Sequence, residues 1–345
     1  MMNNKNRLYK VLPYFIGVSL LLGCTAEKPD KESDGESNQT QPVIHETTVE
    51  TDEAVPTYRN GDTIVIGSHA SEVLSPLREP MLDWTVSLMQ SIYDTYLSNG
   101  THQVVLSIVP DKNVYLQNEP HAADIPFAEY DHLVSKVRDG CAEFANYVDL
   151  FSVLSLSDYY YTDIHWKPSC LPRVASRICD AFGIDAEIKS TEVVSNESFV
   201  GTYTAALTES GQLDIVGTDT LSYFEDDVLS HVTVTDYKDG TPSDGVLYNP
   251  ETAKKEKSYD FYLSGSIPLQ VLHSPNAATE KSLVIFRDSF ASSLAPLFCH
   301  IYQTVTLVDL RYISSAVLGD YIDFTDQDIL FLYSTHIINR SMVMK

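Results

Sequence analysis

Short β-branched apolar runs alternating with stretches of helical period narrow this chain to few architectures. The runs fall at residues 63–66, 104–109, 147–150, 282–286, 305–308 and 329–332. Between them, Met81, Trp84, Leu88, Ile92 and Tyr96 share one helical face ahead of Asn99-Gly100, and Phe127, Tyr130, Val134 and Val137 recur at helical spacing ahead of Gly140. Pro168 suits the start of a helix through Val174 and Ile178, because its φ is already helical and its missing N–H is not needed there. Such alternation predicts an α/β domain whose largely parallel sheet is flanked by helices. The middle departs from it. Residues 231–235 alternate with period two and residues 239–245 are rich in Gly and Asp, which predicts an irregular β-containing insertion.

A chain of 345 residues, 43% of them hydrophobic, can bury a large core, which excludes disordered and disulfide-scaffold classes. Its 23 Lys+Arg face 48 Asp+Glu, a formal charge of −25 that repels phosphate backbones, so no nucleic-acid partner is expected. Residues 60–345 alone hold 17 basic and 39 acidic residues, a net −22, so the acidity belongs to the folded part. That charge favours a neutral or cationic ligand over an anionic polymer.

Lys5, Arg7 and Lys10 precede an apolar run over residues 11–23, the charged and apolar regions of an export signal, too short to span a bilayer comfortably. The run closes on Leu21-Leu22-Gly23-Cys24, which resembles the bacterial lipobox; the resemblance implies cleavage before Cys24 and lipid on the new N-terminus. We therefore expect a signal peptide over 1–23, a disordered acidic tether over 24–59 and a folded domain over 60–345, held on the extracytoplasmic side of the membrane by its lipid alone. Residues 25–55 carry nine acidic and two basic residues and few large apolar ones, a composition that cannot offset its ordering entropy by burial. Cys141, Cys170, Cys179 and Cys299 lack metal-ligand spacing and stand either as free buried thiols or as a disulfide pair. With no Gly-rich phosphate loop, His-Glu-x-x-His helix or Cys-x-x-Cys, no metal or cofactor is expected.

Two segments carry candidate chemistry. Residues 159–166, Tyr-Tyr-Tyr-Thr-Asp-Ile-His-Trp, lie between a predicted strand and a predicted helix, where open α/β sheets put their sites. If residues 163–165 are extended, Asp163 and His165 project to one face, and the carboxylate can fix the tautomer of the imidazole. Residues 286–290, Phe-Arg-Asp-Ser-Phe, turn from a hydrophobic strand into a helix. Ser289 on the first helical turn lies beside backbone N–H groups able to steady an oxyanion, although the same position suits a plain N-cap. On one sheet, a strand-end Ser and a strand-end Asp/His pair can meet as nucleophile, base and orienter. Ser68-His69 is a rival pair, ranked lower because adjacent residues rarely aim at each other.

These two segments resemble the bacterial DHHW family: 159–166 is similar to its Asp-His-His-Trp block, and 287–290 with Pro296-Leu297-Phe298 to its Lys-Asp-Ser-Tyr block. Further similarity at Val109-Pro110-Asp111-Lys112 with Tyr115, Gly201-Thr202-Tyr203, residues 308–312 and residues 330–333 spreads it over most of 60–345. The chain departs from the family at Ile164, in place of a His, and at Arg287, in place of a Lys. The resemblance implies an SGNH-hydrolase-like fold related to alginate O-acetyltransferase domains. It also implies a triad of Asp163 as orienter, His165 as general base and Ser289 as nucleophile.

The expected activity is transfer or hydrolysis of O-acetyl groups on a cell-envelope or extracellular polysaccharide, with a membrane-bound acyl donor protein implied by the better-known relatives. Trp166 and Tyr161 offer a platform for a sugar ring and Arg287 a contact for an anionic group, against bland readings as core filler and structural ion pair. The alternative function is a non-catalytic lipoprotein that binds glycan or an envelope partner, its triad vestigial.

Overall fold

The computed structural model describes residues 57–345 apart from 75, 121, 123, 186–187 and 254–256. The export signal over 1–23, Cys24 and the tether up to residue 56 lie outside the described residues. The tether was expected to reach residue 59, but regular structure already begins at Thr57.

Strands β1 (Thr57–Asn60), β2 (Thr63–Ile66) and β3 (His69–Glu72) form a three-stranded antiparallel sheet. The run at 63–66, expected to open the parallel sheet, thus belongs to a separate one. Its neighbours explain why. Two-residue loops join β1 to β2 at Gly61-Asp62 and β2 to β3 at Gly67-Ser68, and both glycines hold φ near +60°, the hairpin conformation that other residues resist.

The main sheet has eight strands. In chain order they are β4 (Val104–Val109) and β5 (Asn146–Val148), then, after the separate antiparallel pair β6 (Thr191–Ser198) and β7 (Thr220–Glu225), β8 (Thr233–Tyr237), β9 (Pro242–Gly245), β10 (Leu269–His273), β11 (Thr279–Arg287), β12 (Tyr302–Val308) and β13 (Gln327–Ser334). Their spatial order is β5-β4-β13-β11-β12-β10-β8-β9, the first five mutually parallel and the last three added antiparallel. The sheet is therefore largely parallel, as expected. The β8–β9 hairpin extends it rather than forming the insertion, and β6–β7 is what stands apart.

Side chains of the central strands alternate between two apolar layers, as a sheet covered on both faces requires. Val105, Leu283, Ile285, Leu330 and Leu332 pack beside helices Leu171–Ala181 and Ala291–Phe298. Val104, Leu106, Val284, Phe286, Ile329 and Phe331 pack beside helices Glu79–Ile92 and Tyr130–Cys141. Cys141, Cys170, Cys179 and Cys299 are free and buried, which decides between thiols and a disulfide. No described helix is long and apolar enough to cross a membrane.

Candidate active site

The parallel strands end on one edge of the sheet, and polar residues gather there: Asp111 and Lys112 after β4, Asp288 and Ser289 after β11, Asp309 after β12, Ser334 and Thr335 at the end of β13. Asp288 braces this edge. Its carboxylate accepts the Phe290 N–H at 3.0 Å and the Ser334 N–H at 2.7 Å, tying the turn after β11 to the neighbouring strand. Ser289 itself is half-buried.

Ser289 does not sit on the first helical turn. The helix starts at Ala291, and the N–H groups of Phe290, Ala291 and Ser292 are taken by Asp288 Oδ1, Asp288 O and Ser289 O. These three donors beside Ser289 are thus already engaged.

The loop 160–165 brings the other two residues to Ser289. It is bent rather than extended as the sequence suggested, because the Asp163 side chain accepts the His165 N–H two residues on at 3.0 Å, a local Asx turn. The same oxygen lies 2.5 Å from His165 Nδ1, and His165 Nε2 lies 2.7 Å from Ser289 Oγ. A carboxylate only accepts, so Nδ1 carries a hydrogen and Nε2 is left to accept the serine hydroxyl. Ile164 between them packs into apolar surroundings.

Asp163 is 1% exposed and fully engaged, its second oxygen accepting the Thr202 N–H at 2.6 Å and the Thr202 hydroxyl at 2.7 Å. Burial acts to raise its pKa. His165, by charge and hydrogen bond, and Thr202 override burial and hold the carboxyl well below the usual range. The segment carrying Thr202 comes close only because residue 201 is glycine: a Cβ there would meet the Thr162 carbonyl oxygen at 2.2 Å. On the imidazole face, the Tyr259 ring stacks at 3.6 Å and 3°, its hydroxyl bonded to Ser293 Oγ, and Phe290 tilts in at 4.8 Å. Sequence reasoning missed Tyr259, which no motif marks, whereas Thr202 fell inside a block singled out for resemblance but received no role.

The three residues expected to bind substrate are disposed differently. Trp166 is wholly buried and donates its indole N–H to Phe290 O and Ser293 Oγ, so it braces the turn after Ser289 and offers no surface to a sugar. Arg287 is also wholly buried, bonded to Ser292 and Gln270 with Asp309 at 3.9 Å, and is out of reach of a ligand. Tyr161 is half-buried, with its ring against His69 at 4.6 Å and Lys167 Nζ at 4.4 Å. In the rival pair, Ser68 Oγ and His69 Nδ1 are 3.4 Å apart, and burial, then the Lys112 and Lys167 cations, push the His69 pKa down to about 3. A base that weak is a poor partner for a serine.

A cavity of about 1080 Å³ lies elsewhere, lined by Phe224, Asp226, Leu229, Val246 and Tyr248 among others. Its lining includes Ser230, with its hydroxyl 3.1 Å from His231 Nδ1, but that pair is exposed and no buried carboxylate among the described residues orients the imidazole as Asp163 orients His165, so the chemistry points to Ser289 rather than to the volume.

The chain matches no protein-family model and, in sequence, no curated protein. Among solved structures it resembles a DHHW family protein from Eubacterium siraeum, with 18% identity and a TM-score of 0.65 over 82% of this chain and 94% of that one. It also resembles Bacillus cereus PatB1 carrying a sulfonyl adduct, with 15% identity and a TM-score of 0.65 over 84% and 98%. The O-acetyltransferase domain of Pseudomonas putida AlgJ aligns at 13% identity with a TM-score of 0.47 over 81% and 90%. The chain therefore has the fold of a DHHW family protein, the family that its 159–166 and 287–290 segments resemble.

Proposed function

We propose that this chain is a lipid-anchored, extracytoplasmic serine acyltransferase or esterase of SGNH-hydrolase type, acting on O-acetyl groups of a cell-envelope or extracellular polysaccharide. One observation carries the reading: the row of hydrogen bonds from Ser289 Oγ to His165 Nε2 and from His165 Nδ1 to Asp163. Hydroxyl, imidazole and carboxylate in that order form the constellation that activates a serine.

In the first half-reaction Ser289 Oγ attacks the acetyl carbonyl of the donor while His165 Nε2 takes its proton. The tetrahedral intermediate collapses, the donor leaves with that proton from His165, and the acetyl group remains on Ser289. A sugar hydroxyl then gives its proton to His165 and attacks the acyl-enzyme, regenerating Ser289; water in its place gives net ester hydrolysis. The lipid on Cys24 would keep the domain at the membrane surface, where a membrane-bound acyl donor and an envelope glycan are both at hand. The net −22 over residues 60–345 favours a neutral or cationic acceptor.

The test is turnover of p-nitrophenyl acetate together with labelling by a sulfonyl fluoride. Ser289→Ala should lose both while unfolding at the wild-type temperature. Turnover retained in that variant, or a label on another residue, overturns the assignment.

A further inference from the structure

Two buried groups of opposite charge grip the peptide units that lead into Asp163. Lys112 follows β4 and is wholly buried; its Nζ donates to Tyr160 O at 2.7 Å and to Ala70 O at 2.5 Å, with Tyr161 O at 3.5 Å. Asp219 precedes β7 and is also buried; its Oδ1 accepts the Tyr161 N–H at 2.8 Å and its Oδ2 the Thr162 N–H at 2.7 Å and the Thr162 hydroxyl at 2.6 Å. The peptide unit joining 160 to 161 therefore has its oxygen on the cation and its N–H on the anion; in the unit joining 161 to 162 the N–H is likewise on Asp219, while the oxygen accepts the Ala70 N–H at 2.8 Å with Lys112 Nζ farther off at 3.5 Å.

A peptide unit is a rigid plane with a dipole, so holding both of its ends removes its freedom to rotate about the chain. Two such planes in succession fix where Asp163 begins. Loop 160–165 has no helix or strand ladder of its own to do this. Burying a cation is unfavourable, and it is tolerated where partners satisfy it. Burial brings the Lys112 pKa down to about 7 against the opposing pull of Asp163 and Asp219.

We propose that Lys112 and Asp219 are positioning residues for the triad, clamping the 160–162 peptide units from opposite ends so that Asp163 meets His165 at hydrogen-bond distance. The proposal rests on the catalytic reading above for its kinetic arm only. Its second arm is spectroscopic: a proton held between His165 Nδ1 and Asp163 at 2.5 Å resonates far downfield, whether or not the protein turns over an ester.

Lys112→Met, Asp219→Asn and the double variant are compared with wild type at pH 6, where the Lys112 cation predominates. Each single variant should lower kcat for p-nitrophenyl acetate at least tenfold with KM within threefold, and should shift or broaden away the downfield resonance. Because releasing either end frees the same 160–161 plane, the double variant should lose little more than the worse single one, a non-additivity that independent structural damage would not produce. Lys136→Met, an exposed lysine paired with Asp83, serves as the control and should change neither readout. If Lys112→Met does not fold, Asp219→Asn decides alone, since it keeps the shape of the side chain. An unchanged resonance with unchanged kcat in the folded variants, or losses that simply multiply, overturns the clamp. Absence of turnover in the wild type with the resonance behaving as expected would instead sink the catalytic reading and leave the clamp standing.

Discussion

Asp163→Asn separates a working triad from a structural hydrogen-bond cluster, and the geometry gives the size of its effect. In the wild type, Asp163 Oδ1 accepts the ring N–H and the backbone N–H of His165, and Oδ2 accepts the backbone N–H and hydroxyl of Thr202. An amide has one oxygen. With Nδ2 on the Thr202 side it faces a backbone donor, and with Nδ2 on the His165 side it faces another, so either orientation strands a buried N–H. That costs about 1–3 kcal/mol, or roughly 2–5 °C in melting temperature for a domain of this size. The His165-side orientation also leaves Nδ1 to accept, which protonates Nε2 and removes the acceptor for the Ser289 proton; loss of the correct tautomer in a serine triad costs about 10⁴ in kcat. We expect kcat for p-nitrophenyl acetate to fall by about 10³–10⁴ and melting to drop by several degrees at pH 7. The pH dependence has a definite sign. The folded pKa of Asp163 is depressed, so its contribution is complete above the unfolded carboxyl pKa of about 3.9 and fades only as pH falls toward the folded value. The melting gap should not close between pH 8 and 5 and should narrow only in stronger acid. Turnover within tenfold of wild type would refute the triad reading, and a gap that closes between pH 7 and 5 would refute the account of Asp163.

Substitutions at two further positions test the surroundings of the triad. Gly201→Ala drives a methyl group into the Thr162 carbonyl and should cost about 1–3 kcal/mol in chemical denaturation, with at least a tenfold fall in turnover as Thr202 is pushed off Asp163; a variant of wild-type stability would show that the contact is soft. Tyr259→Leu removes the ring stacked on His165, an interaction of about 0.5–1.5 kcal/mol, and should lower kcat about three- to tenfold. Tyr259→Phe keeps the ring and should retain most of the rate, because the hydroxyl bonds to Ser293 and not to the imidazole; equal losses in both variants would contradict this.

What could be read in advance was whatever repeats with the period of its element. β4, β11, β12 and β13 are short runs apolar on both faces, and a strand buried on both faces leaves no other pattern. Whether such a run pairs parallel or antiparallel is not written in the run, and β2 was misassigned for that reason, although Gly61-Asp62 and Gly67-Ser68 were legible as two-residue hairpin loops. Asp163, His165 and Ser289 were accessible because two are neighbours but one and the third follows a strand. Thr202, Asp219 and Tyr259 were not, since each reaches the triad or the loop that carries it through tertiary folding from a segment with no period of its own. Trp166 and Arg287 failed as ligand contacts for a simple reason: sequence cannot tell which face of a polar turn looks inward.

That inward face explains why so much polarity is buried at the strand ends. Apolar packing is non-directional and can fill the space beneath Ser289, but it cannot set the rotation of a peptide plane or the aim of a hydroxyl. Hydrogen bonds and ion pairs can, at the expense of stability, because buried charges commonly give less than well-packed apolar side chains of equal volume. The groups recruited here come from different loops: Lys112 after β4, Asp219 before β7, Asp288 and Trp166 bracing the turn after β11, Thr202 behind a glycine. Each ties one loop to another, and Asp288 also tightens its own turn. A fold selected for stability alone would have little reason to keep a wholly buried lysine facing backbone carbonyls, whereas one that must hold an aspartate, an imidazole and a serine within hydrogen-bond distance across 124 residues of chain has a direct use for it.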